Sequence, residues 1–363
     1  MPAHGFSITE PIWPKTLRLP DRPPKLVYLD LNHWISLSKA YQEHPDGQRH
    51  RNALDNCLQA VRDQSAIFPI SGTLYVEISK IRQHRQRLNL REVLEPLSQF
   101  NTLIHLSYVV QHEIEALLDH MIGPSARPMV TIDLLGWGVN WAFAKVANLR
   151  IKTADGNDVT DTALQSFPGG QDAFRQLAHE ADLRVNRMAI DGPTPQEEAE
   201  LRSHGWDPNP ALALYDQAVH EELAQARRFD QYSRWRRGRT RDVISAREFI
   251  AEQRQNLAGG LIRRGYSSDD EFFSKSREEL STALSSMPSF DVSVTIKTSL
   301  HRDGNHKWSN NDIYDIHTLA LAIPYCDVLV TDRSMSEHAN RSHLAGRYNT
   351  NVISSLSDLE SYL

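Results

Sequence analysis

Asp312 and Asp315 stand three residues apart in the stretch 311–332, NDIYDIHTLALAIPYCDVLVTD, and Asp332 closes it. On a helix that spacing puts two carboxylates on nearly one face. In a first turn their charge suits the positive end of the helix dipole. Ile316, Leu319, Ala320 and Ile323 continue the helical apolar period, and Pro324 is expected to stop it. Residues 327–331 then read as a short strand, apolar on both faces, with Asp332 at its carboxyl end. Ligands of open α/β sheets bind outside the carboxyl ends of the strands. Acids gathered there suit a metal ion or a phosphate.

The same pattern occurs near the start of the chain. Residues 25–30, KLVYLD, are an apolar run ending in an acid; Asn32 follows, and residues 33–37 open a helix. The plain alternative for Asp30 is that it only caps that helix. A helix over 49–63 carries Leu54, Leu58 and Val61 on one face, and residues 65–70 form a second apolar strand. Ser71 or Thr73 is a candidate N-cap for the next helix. That helix turns Leu74, Ile78 and Ile81 inward and carries Glu77 one turn in. Glutamates so placed are usually solvated. This one gains weight because its strand–turn–helix opens on the same sheet edge.

The elements that must position these acids come from both ends of the chain. At 363 residues the chain is long for one domain. The reading divides it into an extended, proline-rich arm (1–24), a first core half (25–110), a helical insertion (111–304) and a second core half (305–363). The net charge of −6 and the pI near 6.2 exclude a global basic field. The two cysteines, Cys57 and Cys326, make no metal motif and fit a reducing, cytoplasmic setting. No apolar signal region and no run of about 18 apolar residues is present, so no membrane span is expected.

Taken together, these residues resemble the PIN-domain nucleases. D-x-N at Asp30–Asn32 is similar to that family's opening motif, and Glu77 to its second acid. The 16 residues from Asp315 to Thr331 match the family's closing interval, with the small residues Ala320 and Ala322 where the family has them. Asp332 follows Thr331 directly, where many members have one residue between. The resemblance covers roughly residues 25–110 and 305–363. It implies a parallel sheet sandwiched by helices, here with a large, mostly α-helical insertion. It further implies hydrolysis of RNA by a metal-activated water, leaving a 5′-phosphate and a 3′-hydroxyl. A helix near 334–343, a strand at 351–354 and a closing helix from Ser357 fit the same plan.

Oxygen-only donors favour Mg²⁺ or Mn²⁺ over Zn²⁺. The expected metal and catalytic acids are Asp30, Glu77, Asp315 and Asp332. Asp312 is an additional metal acid that competes with Asp315 for the third place. Asn32 and Thr331 are expected to support the site or contact phosphate. No Walker-type phosphate loop, Ser/His/Asp set or Cys/His set competes.

In the insertion, helices are expected near 108–119, 133–149, 171–189, 211–237, 242–257 and 269–286. Trp137, Trp141 and Phe143 are expected in its core. His112, His179 and His220 have no partners at ligand spacing and are expected in ordinary packing or surface roles. Between Arg227 and Arg247 eight arginines are interleaved with Phe229, Tyr232 and Trp235. Arginine pairs phosphates in fork geometry and aromatic rings stack unpaired bases, so Arg234, Trp235, Arg236 and Arg237 are candidate nucleic-acid contacts. A solvated helix face is the alternative. A second basic run, 80–91, is expected to continue along Glu77's helix. Three readings stay open: an RNA nuclease, a structure-specific DNA nuclease, and an inactive PIN-like module that binds nucleic acid or protein. The insertion could also serve a protein partner or a second copy of the chain.

Overall fold

The computed structural model describes residues 10–145, 150–205, 207 and 209–363. The fold is mixed α/β, with a parallel sheet flanked by helices. In chain order the strands are β1 Leu17–Arg18, β2 Lys25–Leu29, β3 Ala66–Ile67, β4 Asn101–Leu103, β5 Ile132–Asp133, β6 Leu135–Trp137, β7 Val328–Val330 and β8 Asn351–Ile353. The main sheet has the order β3-β2-β7-β8, every pair parallel. Beyond β3 the backbone of Ile70 bridges Thr102, which brings β4 alongside, and β6 pairs antiparallel to β4. β1 pairs parallel with β5.

Period-2 alternation decides what each sheet face buries. Leu26, Tyr28 and Leu329 point to one face; Val27, Leu29, Val328 and Val330 point to the other. The second face is covered by α1 Leu31–Tyr41, α2 Arg51–Arg62, α3 Gly72–Ser79 and α4 His84–Ser98. Further along lie α5 Leu106–Ile122, α6 Gly170–Asp191, α7 Asn209–Gln231, α8 Thr240–Arg247, α9 Pro288–Arg302, α10 Asn310–Tyr325 and α11 Arg333–Arg341. Of these, α10, α11 and part of α9 cover the first face through Ile313, Ile316, Leu319, Met335, Ala339, Val292 and Ile296. The chain thus leaves β2 toward one face and β7 toward the other. Adjacent parallel strands with opposite exits make a topological switch point, where a crevice opens at their carboxyl ends. The insertion has a third apolar cluster, built on Phe229, Ile244, Phe249, Leu257 and Phe272. It shares α5 and α9 with the sheet's own core.

Several local expectations are corrected. Residues 133–149 are not one helix: β6 and a five-residue helix, Gly138–Ala142, occupy the described part, and 146–149 lie outside the described residues. Pairing of β6 with β4 overrides the helical pattern there. Trp137 and Trp141 are half-buried, and Phe143 is 39 % exposed rather than core. Pro324 stands inside α10, which ends one residue later, at Tyr325. The strand expected over 65–70 narrows to Ala66–Ile67 plus the bridge at Ile70. The closing helix is a short 3₁₀ turn, Leu359–Tyr362. Residues 1–9 of the arm lie outside the described residues. The rest packs along the surface, with Ile12 N donating to Ser286 O at 2.8 Å and Trp13 edge-on to Tyr325. Among the described residues no helix is long and apolar enough to cross a membrane.

Candidate active site

Four acids from four separate elements line one cleft. It has a volume of about 400 Å³, and Asp30, Asn32, Glu77, Lys80, Asn311, Asp315 and Asp332 are among its walls. Asp30 and Asp332 follow the neighbouring strands β2 and β7, joined in register at Leu29 and Val330. The Asp30 N–H donates to Val330 O at 3.0 Å. Each aspartate caps the helix that follows it. Asp30 Oδ1 accepts from His33 N at 3.1 Å and lies 2.5 Å from His33 Nδ1. Asp332 Oδ1 accepts from Ser334 N at 2.6 Å and Met335 N at 3.1 Å. Among the described residues no hydrogen bond reaches Oδ2 of either. The capping role first set against function therefore holds the carboxylate still while leaving one oxygen free.

Glu77 is placed by α3. Ser71 caps that helix by accepting from Leu74 N at 3.2 Å, and its hydroxyl sits 2.7 Å from the buried Tyr28 hydroxyl. This ties the start of α3 to β2. Asp315 comes from α10, one turn after Asn311 on the same face. Burial, then the charge of Asp30, pushes the Glu77 carboxyl up to about 7, against the opposing pull of Lys80. Burial, then Asp332, Glu77, Asp30 and Asp312, pushes Asp315 up to about 8. Like charges gathered in a half-buried cleft disfavour one another's ionisation. Lys80 offsets part of this. Its ammonium lies 3.9 Å over the Tyr314 ring, and burial lowers its pKa although Glu77 and Asp315 pull the other way.

Asp312 stands apart from this group. It is 9 % exposed; its Oδ2 accepts from Ser309 N at 2.7 Å and Ser309 Oγ at 2.8 Å, and its Oδ1 lies 3.3 Å from His306. Burial opposes its ionisation, but the bonds from His306 and Ser309 hold its pKa below the usual carboxylate value. It serves as the N3 acid of a capping box and does not line the cleft. Thr331 is not placed to contact phosphate. Its N–H donates to Ile353 O at 3.0 Å within the sheet, and the side chain is fully buried and off the cleft wall. Asn32 is exposed on the rim.

Lys80, Asn311 and His33 were not singled out from sequence as site residues. Helical spacing alone places Asn311 with Asp315 and His33 with Asp30. In the sequence Lys80 opens a basic run, and that run does not follow Glu77 along one helix. α3 ends at Ser79, and α4 begins at His84. Arg87 and Arg91 there are spent on structure. Arg87 donates to the carbonyls of Ile81, Asp191 and Pro193, and Arg91 pairs with Asp191 at 2.7 Å.

The arginine segment divides in two. Arg236 pairs with Asp230 at 2.8 Å, Arg241 with buried Asp291 at 2.5 Å, and Arg247 with buried Glu222 at 2.5 Å. Arg234, Arg237 and Arg239 are exposed, and no acid pairs with them among the described residues. Trp235 is half-buried against the third cluster, and the exposed ring is that of Tyr232.

The donor set offers carboxylate and amide oxygens only, which suits a hard divalent cation. Among the described residues no three His, Cys, Asp or Glu side chains close into a ready-made coordination cage. Carboxylates with no cation between them are expected to stand apart. No protein-family model matches the chain, and no curated protein or solved structure matches it.

Proposed function

We propose that the chain is a Mg²⁺- or Mn²⁺-dependent nuclease of PIN-like fold that hydrolyses RNA phosphodiester bonds internally. One observation carries this reading: four carboxylates from four elements line one cleft at the switch point of a parallel sheet. The raised pKa values of Glu77 and Asp315 support it, because a fold that keeps such repulsion needs a counter-charge to relieve it. Asp30, Glu77, Asp315 and Asp332 would hold the ion. A bound divalent cation polarises a phosphodiester and makes water a nucleophile near neutral pH.

The protein's own groups supply the rest. Asp30 and Asp332 each keep one oxygen fixed on a helix start and present the other to the cleft. The amides of Asn32 and Asn311 on the cleft wall can donate to phosphate oxygens. Lys80 adds a positive charge beside the acids and draws an anionic strand to a cleft that would otherwise repel it. The buried free thiols Cys57 and Cys326 fit a cytoplasmic enzyme.

The test is incubation of the purified protein with end-labelled single-stranded RNA and DNA in Mg²⁺, Mn²⁺ or EDTA. Cleavage of RNA in metal but not in EDTA, leaving 5′-phosphate ends and lost in Asp30→Asn and Asp332→Asn, is the expected result. Cleavage of DNA alone moves the reading to a DNA nuclease. No cleavage of either strand leaves the binding-module reading in its place.

A further inference from the structure

We propose that Arg234, Arg237, Arg239 and the outward ring of Tyr232 form the landing surface for an unpaired RNA strand whose scissile phosphate lies in the acidic cleft. This rests on the nuclease reading above and names the form of substrate that site takes.

The surface has both halves of a single-strand binding site. The Tyr232 ring is 48 % exposed and stacks on Trp235, with centroids 4.8 Å apart and planes 25° apart. Trp235 is anchored in the third apolar cluster, so the tyrosine is held flat from beneath. A rigid ring with one open face stacks an unpaired base and offers nothing to a base inside a duplex. The chain breaks between α7 and the short helix Ser233–Gly238, and Tyr232 sits at that break. Arg227 and Arg228, at the end of α7, are exposed as well, and among the described residues no acid pairs with these two or with Arg234, Arg237 and Arg239. In a chain of net charge −6, arginines left without acids while Arg236, Arg241 and Arg247 are each paired mark a local anion surface.

The loop from Asp303 to Ser309 joins this surface to the cleft. Arg236 packs against Gly304, where an added Cβ would lie 2.5 Å from the guanidinium. At its other end the loop opens α10, whose Asn311 and Asp315 line the cleft. Asn310, at the start of that helix, donates to Asp216 of α7 at 2.6 Å. The loop thus meets α7 at two places, through Arg236, whose guanidinium also donates to Ala226 O at 3.3 Å, and through Asn310 at Asp216, with Arg302 and Lys307 exposed along it. The path from Asp216 to Tyr232 along the helix is roughly 24 Å at 1.5 Å per residue. A strand that follows it needs about seven nucleotides at the 3.4 Å rise of a stacked strand.

The experiment is fluorescence anisotropy in EDTA, which keeps the strand intact, with labelled 12- and 4-nucleotide RNAs and the matching 12-nucleotide DNA. For the 12-mer RNA, Arg234→Gln/Arg237→Gln should make the log Kd against log salt slope shallower by about 1.4, the counterions of two phosphates on a single strand. Tyr232→Leu should weaken binding by about tenfold, the loss of one stacked base. The 4-mer, which cannot span both places, should bind wild type at least about tenfold more weakly than the 12-mer. Melting temperatures equal to wild type establish that the variants fold, and Arg239→Gln serves as a second charge variant if the double one does not. An unchanged Kd and slope for the 12-mer, or a 4-mer that binds wild type as tightly as the 12-mer, overturns the surface even if wild type cleaves RNA in Mn²⁺. Tighter binding of the DNA overturns the assignment to RNA. Loss of cleavage activity alone leaves this binding result standing.

Discussion

Asp312 and Asp315 show how two residues of one type, three positions apart, take opposite roles. Asp312 is held ionised by His306 and Ser309 at a helix start, whereas Asp315 is pushed up to about 8 by burial and by neighbouring acids. Asp315→Asn is therefore expected to lower RNA cleavage by more than about 100-fold, beyond what a supporting residue costs. Asp312→Ala is expected to cost about 1 kcal/mol of stability through its lost capping box, with less than tenfold loss of cleavage. The sign of the pH effect follows from linkage. Asp315 binds its proton more tightly folded than unfolded, where its value is the ordinary 3.8. The stability it contributes is full below that value and is lost as pH rises through about 8. Glu77 acts in the same sense up to about 7. Urea unfolding in EDTA at pH 5 and pH 8 should show wild type losing stability with pH and Asp315→Asn losing less. Equal pH slopes for the two would mean that Asp315 is not strained in the folded protein.

At the scale of elements, α7, α8 and α9 are pinned by one buried ionic cluster. Lys297 on α9 lies 2.5 Å from Glu248 and 3.1 Å from Glu222 on α7. Arg247, the last residue of α8, pairs with both glutamates. His301 completes the cluster at 2.7 Å from Glu222, and burial, the first cause, lowers its pKa. Removing one partner from a buried ionic set strands the others, at about 3–5 kcal/mol. Lys297→Met should lower the urea midpoint accordingly. Because α9 also packs on the sheet, the loss should appear in the whole unfolding transition and not in a separate helical one. A biphasic curve would show the helical part melting alone. The same cluster accounts for Arg247, which in sequence looks like one more member of a nucleic-acid run.

At the scale of the molecule, the cleft exists only when strands about 300 positions apart in the chain pair as β2 and β7. A cation held by the acids that follow β2 and β7 and those on α3 and α10 would bind the folded state alone and stabilise it by mass action. That is about 2.7 kcal/mol at a hundred times Kd, or a Tm rise of about 3–5 °C for a chain of this size. Wild type should show that rise in Mn²⁺ over EDTA, and Asp30→Asn and Asp332→Asn should not. The same two variants should melt no lower than wild type in EDTA, because they remove repulsion from the cleft. A wild type indifferent to millimolar Mn²⁺ would count directly against the metal reading.

The sequence by itself determined the two strands that end in acids, β2 and β7, and the acids themselves. Asp30 and Asp332 were legible because a buried parallel strand is a short apolar run, and a residue's place at its carboxyl end is a local fact. Glu77 and Asp315 were legible for the same reason, from helix caps and spacing. Only the tertiary structure decided which acids share a cleft, since that depends on pairing β2 with β7 and on the opposite exits of the chain from them. It alone separated Asp312 from Asp315, because a capping bond to Ser309 and a contact with His306 depend on how the loop before α10 turns. It buried the Thr331 side chain, whose backbone N–H bonds Ile353 of β8, and it brought Lys80 to the cleft by ending α3 at Ser79. It also divided the arginines, because Arg241 and Arg247 find their acids on helices distant in sequence. A charge run in a sequence states how much charge is present; whether that charge faces solvent is settled by what packs against it.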